Sequence, residues 1–427
     1  MNALMNKVGF DTKNQFYGFL SVVFSGQIIY SAFEAFKGTF YNLLLEVLQV
    51  DNTQIGLLFT LIGSAMFFYI PAGWVNNRFS VKKILMCSLV VRLLSMMYIV
   101  CFQPAFSFLA IIAAIWGVTD AIFWPAVVNG VTIMSGEKNK GMAFGLLESI
   151  RRAMEMSMNA IVVGLMAFLG GTIFIFKGAI IAYTLLIIPM ILMVWKFLPD
   201  NRLEVKDGES KNLVALKGVL FVFRMPTVWL AALSSMTVYW VYIILIYTVP
   251  YLQAVFDLST AQVALFGIIN TAAMGVIAGI IAGTISDFVF KSSIKMMLFS
   301  LGLSSMCMAI VIFLPKTSDF LWVNIMLLMA FSFSIFLAKG IILAPIAEAG
   351  VPQKFNGAAM SIGSFGAYSP VFWGYALNGW IIDSHEKIVA YEYIFTIGMI
   401  VALLGACSSL CLIWMKKDNN QDNIGDV

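Results

Sequence analysis

Gly73-Trp74-Val75-Asn76-Asn77-Arg78, trailed by Lys82 and Lys83, joins two long apolar segments, and Gly283-Thr284-Ile285-Ser286-Asp287, trailed by Lys291 and Lys295, joins two more. The two stretches stand 210 positions apart in a chain of 427 residues. A glycine, a polar or acidic residue four positions on, and trailing lysines, repeated half a chain apart, read as the product of duplication. Two further echoes keep nearly the same offset. Trp124-Pro125 is matched by Ala344-Pro345, 220 positions on, and Lys140-Gly141-Met142-Ala143 by Asn356-Gly357-Ala358-Ala359, 216 positions on. Three echoes in one order indicate a parallel repeat.

What surrounds the repeated loop is too apolar for water. Apolar residues make up 61% of the chain and charged residues 11%, with a mean hydropathy of +0.93. A soluble domain carries roughly a quarter charged residues. A membrane-crossing helix needs about 20 mostly apolar residues. Hydropathy places twelve such spans near 16–44, 54–75, 83–103, 106–132, 141–168, 172–197, 226–250, 259–283, 294–314, 320–346, 356–381 and 389–415. Runs such as 180–195 do not alternate as lipid-facing strands do, so the expected fold is an all-α membrane protein of two six-helix bundles. The polar stretch 198–217 divides them. The expected organisation is an N-terminal bundle 1–197, a cytoplasmic linker 198–220, a C-terminal bundle 221–415 and a cytoplasmic tail 416–427.

Orientation follows from the basic residues. With the N-terminus cytoplasmic, the inner loops hold Arg78, Lys82, Lys83, Lys138, Arg202, Lys206, Lys291, Lys295, Lys354 and others, and the outer loops only Lys316 and Lys387. Both termini are therefore expected inside, and the net charge of +4 reflects topology, not nucleic-acid binding. Residues 1–15 show no cleavage-site pattern, so the first span is read as retained. The five cysteines all fall in apolar spans and the one histidine, His385, in an outer loop. No metal-ligand spacing and no phosphate-binding glycine loop is present, so no cofactor and no ATP drive is expected.

Twelve spans in a 6+6 repeat, a charged central loop, and a G-x-x-x-D/N loop after spans two and eight resemble the major facilitator superfamily. The resemblance covers nearly the whole chain. It implies a secondary transporter working by alternating access, with the loop residues Gly73, Asn77, Arg78, Gly283 and Asp287 helping to hold a cytoplasmic gate. The first copy departs from the family pattern: Asn77 stands for the usual acid and Ser80 for the usual glycine. The runs 344–349, 357–360 and 363–365, with Phe144-Gly145, Glu148 and Arg151, are similar to the YihN-type permeases of bacterial inner membranes. That group implies no substrate.

Ionisable residues inside spans cost several kcal/mol unless paired or wet, and so mark function. Span five carries Glu148, Arg151, Arg152 and Glu155, which lie roughly 10–21 Å into the hydrocarbon core. Their spacing allows ion pairs along one helix or a cation offered to an anionic solute. Asp120 in span four, with Trp124 nearby, reads as a proton carrier or as a partner for Arg151 or Arg152. Glu34 and Lys37 in span one pair with each other or face the cavity. Lys339 in span ten needs water, a partner from another helix or an anionic ligand. Arg92 in span three and Lys177 in span six lie close enough to span ends to snorkel. Tyr239, Trp240, Tyr242, Asn270 and Tyr368 are softer candidates, read first as packing. Lys37, Arg151, Arg152 and Lys339 face four acids, and protonation of one or two acids during the cycle leaves the cavity net positive, which favours a small organic anion as solute (a carboxylate, sulfonate or phosphate ester), coupled to protons or to exchange. The alternatives are a neutral sugar, a drug-like cation, or a solute sensor in place of a carrier. A monomer with only a solute, lipid and protons as partners is expected, in the cell inner membrane.

Overall fold

The computed structural model describes residues 10, 12–68, 72, 75, 76, 79–135, 140–170, 172–200, 221–351 and 356–425. Every element among them is helical. The spans begin where the sequence supplies a cap for the first free N–H groups. Thr12 caps Lys13–Ser31, Asp51 and Gln54 form a capping box on Asn52–Gly63, and Ser80 caps Val81–Phe102. Pro226 opens the seventh span and Ser292 caps the ninth, Ser293–Phe313. The left-handed residues Gln49, Gln103 and Asp257 end the first, third and seventh spans.

The described helices are all-α and follow the expected order. Among the described residues nine are long and apolar enough to cross a membrane unaided. The first, second and eleventh spans are assembled from shorter pieces. The second passes into a tight turn at Ser64–Phe68, and the eleventh is interrupted at Ser369–Phe372. Contacts divide the chain into two compact units: Met1–Lys206 with Thr260–Ile268, and Asp207–Ser259 with Ile269–Val427.

Span one departs most from its expected form. Hydropathy reads 16–44 as one run, but the helix stops at Ser31, makes a single turn at Glu34–Phe36 and resumes at Tyr41–Leu48. Aromatic packing holds the break. Phe33, at φ −142°, sits 5.7 Å from the Phe59 ring and 5.2 Å from Trp116, while Phe36 packs on Phe176 at 4.9 Å. Unwound backbone is tolerated at membrane depth only where protein satisfies it. Asn159 of span five does so, donating to the Ala35 carbonyl and to Thr39 Oγ1, both at 3.3 Å.

In the first unit, span four runs tightly along span two at Gly117. A Cβ there would stand 2.7 Å from the Leu61 carbonyl oxygen and 3.1 Å from that of Ile62, both backbone atoms that cannot rotate away. Gly117→Leu is expected to destabilise the protein by about 1–3 kcal/mol through overpacking. Gly164→Leu, with nothing within 4 Å of its Cβ, should be silent. Thermal melts of the two purified variants check the pair, and equal melts would contradict this packing.

Candidate functional site

The charged centre of the first unit is built on Arg92, which the sequence reading had let snorkel. It does not snorkel. Arg92 lies eleven residues into Val81–Phe102, about 16 Å along the helix, and is 1% exposed. Its Nη1 donates to Glu34 Oε1 at 2.6 Å, and its Nη2 donates to Asp120 Oδ1 and Oδ2 at 3.0 and 3.1 Å. The guanidinium lies 4.2 Å from the centre of the Trp116 ring and 5.9 Å from that of Tyr30. Trp116 is itself fixed, its Nε1 donating to Ser95 Oγ at 2.7 Å. Only a planar, forked cation serves two carboxylates and an aromatic face at once.

Three helices and the break in span one converge here. Glu34 reaches Arg92 because it sits in the single turn between the halves of span one. Asp120 comes from the middle of Phe106–Ser135 and is 9% exposed. With every member ionised, one cation faces two anions and the cluster carries a net charge of −1. Glu34 Oε2 and Arg92 Nε are buried with no hydrogen-bond partner. One proton brings the cluster to neutrality.

The structure thus corrects the expected partner of Asp120, which is Arg92 and not Arg151 or Arg152. Arg151 instead donates through Nε to the Gly26 carbonyl at 3.2 Å and lies 4.5 Å from the centre of the Trp124 ring. Arg152 pairs with Glu155 at 3.5 Å, and both are partly exposed. The Lys37 ammonium lies 5.5 Å from the centre of the Phe59 ring. The side chain of Glu148 lies outside the described residues.

In the second unit the Lys339 ammonium stands 3.3 Å from the centre of the Tyr242 ring and 5.8 Å from that of Phe336. Tyr242 is 5.6 Å from Tyr239, which is 5.0 Å from Tyr368. A cation held on an aromatic wall results, from spans seven, ten and eleven. Asn270 is fully buried apart from this wall. Its Nδ2 donates to Thr248 Oγ1 at 3.1 Å, and its backbone carbonyl accepts from Ser332 Oγ. It lies in a π-helical turn, Ile268–Ala273, inside span eight.

The loop that first revealed the repeat falls partly outside the described residues: Gly73, Asn77 and Arg78 do, as does the side chain of Asp287. Its neighbours show a device the sequence reading missed. Ser80 caps span three, and the carboxylate of Asp200, at the end of span six, accepts from Ser80 and lies 3.6 Å from Lys83. That bond to Ser80, with Lys83 beside it, holds the Asp200 carboxyl below its usual range. In the second unit Ser292 caps span nine, and Glu348 accepts from Ser292 Oγ at 2.9 Å and from Ser293 N and Oγ at 2.7 and 2.6 Å. The signal was present in the sequence, since Ser80 and Ser292 are 212 positions apart and serine is a preferred cap.

Apolar helices long enough to cross a membrane, with paired charges buried among them, mark a polytopic membrane protein. The chain belongs to the Major Facilitator Superfamily, whose family model matches residues 22–375. It is 28% identical over 415 residues to the inner membrane protein YihN of Escherichia coli, covering 94% of this chain and 96% of the relative. Inner membrane protein YqcE of the same organism is 23% identical over 386 residues, covering 89% and 90%. The fold is shared with the nucleoside transporter NupG, at a TM-score of 0.73 and 12% identity, covering 92% of this chain and 99% of that one. It is also shared with a bacterial homologue of the human lysosomal transporter Spinster, inward-facing and unoccupied, at 0.70 and 14%, covering 94% and 97%. The chain is a multi-pass inner-membrane transporter of a small-molecule solute, not an enzyme.

Proposed function

We propose that the protein moves a small organic anion by alternating access, coupled to protons, as a monomer with both termini in the cytoplasm. The observation that carries the coupling is the Arg92–Glu34–Asp120 cluster. A net negative charge at mid-membrane is costly, and taking up one proton removes it. A carrier that gains and loses that proton once per cycle has a coupling ion built in. Asp120 and Glu34 hold the proton in turn, and Arg92 keeps the vacated carboxylate paired.

The anion reading rests on charge. Away from the span ends, the cations Lys37, Arg92, Arg151, Arg152, Lys177 and Lys339 stand against the acids Glu34, Asp120, Glu148 and Glu155, and a bound proton widens the difference. Arg151 on Trp124 and Lys339 on Tyr242 are the candidate anion contacts. The tyrosines around Lys339 support a second reading, a neutral sugar or a drug-like cation stacked on the rings.

A thermal-shift screen of the purified protein separates the two. Sugar acids, sulfonates and phosphate esters are set against neutral sugars and organic cations. An anion is expected to stabilise the protein, and Arg151→Gln, Arg152→Gln or Lys339→Gln to weaken its binding about tenfold or more. Stabilisation by neutral sugars or cations alone, or an anion unaffected by all three changes, overturns the anion reading.

A further inference from the structure

We propose, on the reading that Lys339 contacts the solute, that Ser235 and Glu348 are positioning residues: they hold a break in span ten that sets the Lys339 ammonium on the Tyr242 ring. The break follows from the sequence. Span ten runs as Leu321–Gly340 and resumes only as the short helix Ala344–Ala347. Pro345 has no N–H to offer the Ile341 carbonyl four residues back, and Ala344 N takes that carbonyl at 2.9 Å instead. The turn tightens around it. Ile342 N bonds to Lys339 and Ile346 N to Leu343, at 3.3 and 3.2 Å. Ile346 N is the donor that a regular helix would aim at the Ile342 carbonyl, so that carbonyl loses its helical partner in a residue only 7% exposed.

Ser235 of span seven supplies the missing donor, its Oγ lying 2.6 Å from the Ile342 carbonyl oxygen. A hydroxyl in need of any partner already had one, the Ala231 carbonyl of its own helix at 2.9 Å. The shorter bond goes across to span ten. Span seven is also the helix that carries Tyr242. Seven residues, about two turns, put Ser235 and Tyr242 on one face. The helix that holds the ring is thus bonded to the backbone three residues past Lys339. The far end of the segment is tied as well. Glu348 accepts from Ser292 and Ser293 at the start of span nine, where a helix N-terminus favours a carboxylate. Beside Lys339, Gly340 lies against span eight, and a Cβ there would stand 2.8 Å from the Ala282 Cβ. Losing either anchor frees Ile341–Glu348 to shift, and the ammonium leaves its ring.

The test uses the purified full chain and follows acetylation of Lys339 by acetic anhydride, read by peptide mass spectrometry against acetylation of Lys177 in the first unit. That ratio cancels any general loosening. Ser235→Ala and Glu348→Ala are each expected to raise it about fivefold, the worth of one cation–ring contact. Ser305→Ala is the control. Its Oγ donates to the Met399 carbonyl at 3.1 Å, the same kind of bond between two other helices, and its loss should leave Lys339 unchanged. Each variant is then titrated with D-glucuronate, isethionate and glycerol 3-phosphate by thermal shift. An anion that stabilises the wild type should bind Ser235→Ala and Glu348→Ala about fivefold more weakly, and Ser305→Ala as tightly as before. A wild-type acetylation ratio in Ser235→Ala or in Glu348→Ala, or an equal rise in Ser305→Ala, overturns the proposal. If Lys339→Gln leaves the binding of all three anions intact, the reading of Lys339 as a solute contact falls instead, and the acetylation ratios still decide what positions it.

Discussion

Arg92→Ala is expected to destabilise the protein by about 3–5 kcal/mol and to abolish transport. Removing one partner of a buried ion pair leaves an uncompensated charge in low dielectric, and here two carboxylates lose their cation together. The cost is electrostatic more than steric, and that distinction is testable. Arg92→Lys should recover only part of the loss, because a single ammonium cannot place parallel bonds on Asp120 while reaching Glu34 and lying on Trp116. Arg92→Met combined with Glu34→Gln and Asp120→Asn removes all three charges. That triple variant should melt near the wild-type temperature, since replacing a whole buried cluster is often neutral, and it should still fail to couple protons. Detergent-solubilised melts and vesicle uptake check both statements. A stable, active Arg92→Ala, or a triple variant as unstable as the single one, would show that this cluster does not hold the first unit together.

The twelve spans were readable because the bilayer allows so few solutions. Backbone polar groups inside it must be satisfied locally, so an apolar run of about 20 residues becomes a helix. Span three was expected at 83–103 and is Val81–Phe102; span nine was expected at 294–314 and is Ser293–Phe313. The break in span one was not readable. Ala32, Phe33, Ala35 and Phe36 continue the apolar run, and the helix stops there because Phe33 and Phe36 find better packing on other helices. Charge pairing was hidden for a related reason. Arg92 meets Asp120 across 28 positions and Glu34 across 58, a matter of how helices rotate against one another and not of spacing along one of them. Depth counted from span ends made Arg92 look like a snorkelling residue, but a long side chain goes where its counter-charges are. The π-helical turn that carries Asn270 leaves no mark in hydropathy at all. Ser80 shows the opposite failure: it was noted only as a departure from the family loop, although its role as a cap needs nothing beyond its own side chain and the helix that follows.

Asp120→Asn should uncouple the carrier while leaving it folded. An asparagine keeps an acceptor for Arg92 Nη2 and nearly the same volume, so the cluster becomes one cation and one anion, already neutral. The melt should therefore stay near that of the wild type. What is lost is the reason to take up a proton. For a monoanion moved with one proton, accumulation at equilibrium follows the pH difference, about tenfold per pH unit. In Asp120→Asn that gradient dependence should vanish and, with the membrane potential clamped at zero, uptake should level at the external concentration, while solute exchange continues. Glu34→Gln should behave the same way, because either change supplies the missing neutrality. The double variant Glu34→Gln with Asp120→Asn should be worse than both, since Arg92 is then a buried cation with no counter-ion. The measurement is uptake into vesicles with imposed pH differences, with and without a protonophore, next to a counterflow assay. Wild-type accumulation indifferent to the protonophore would exclude proton coupling. Loss of counterflow in Asp120→Asn would make that residue part of solute binding and not of coupling.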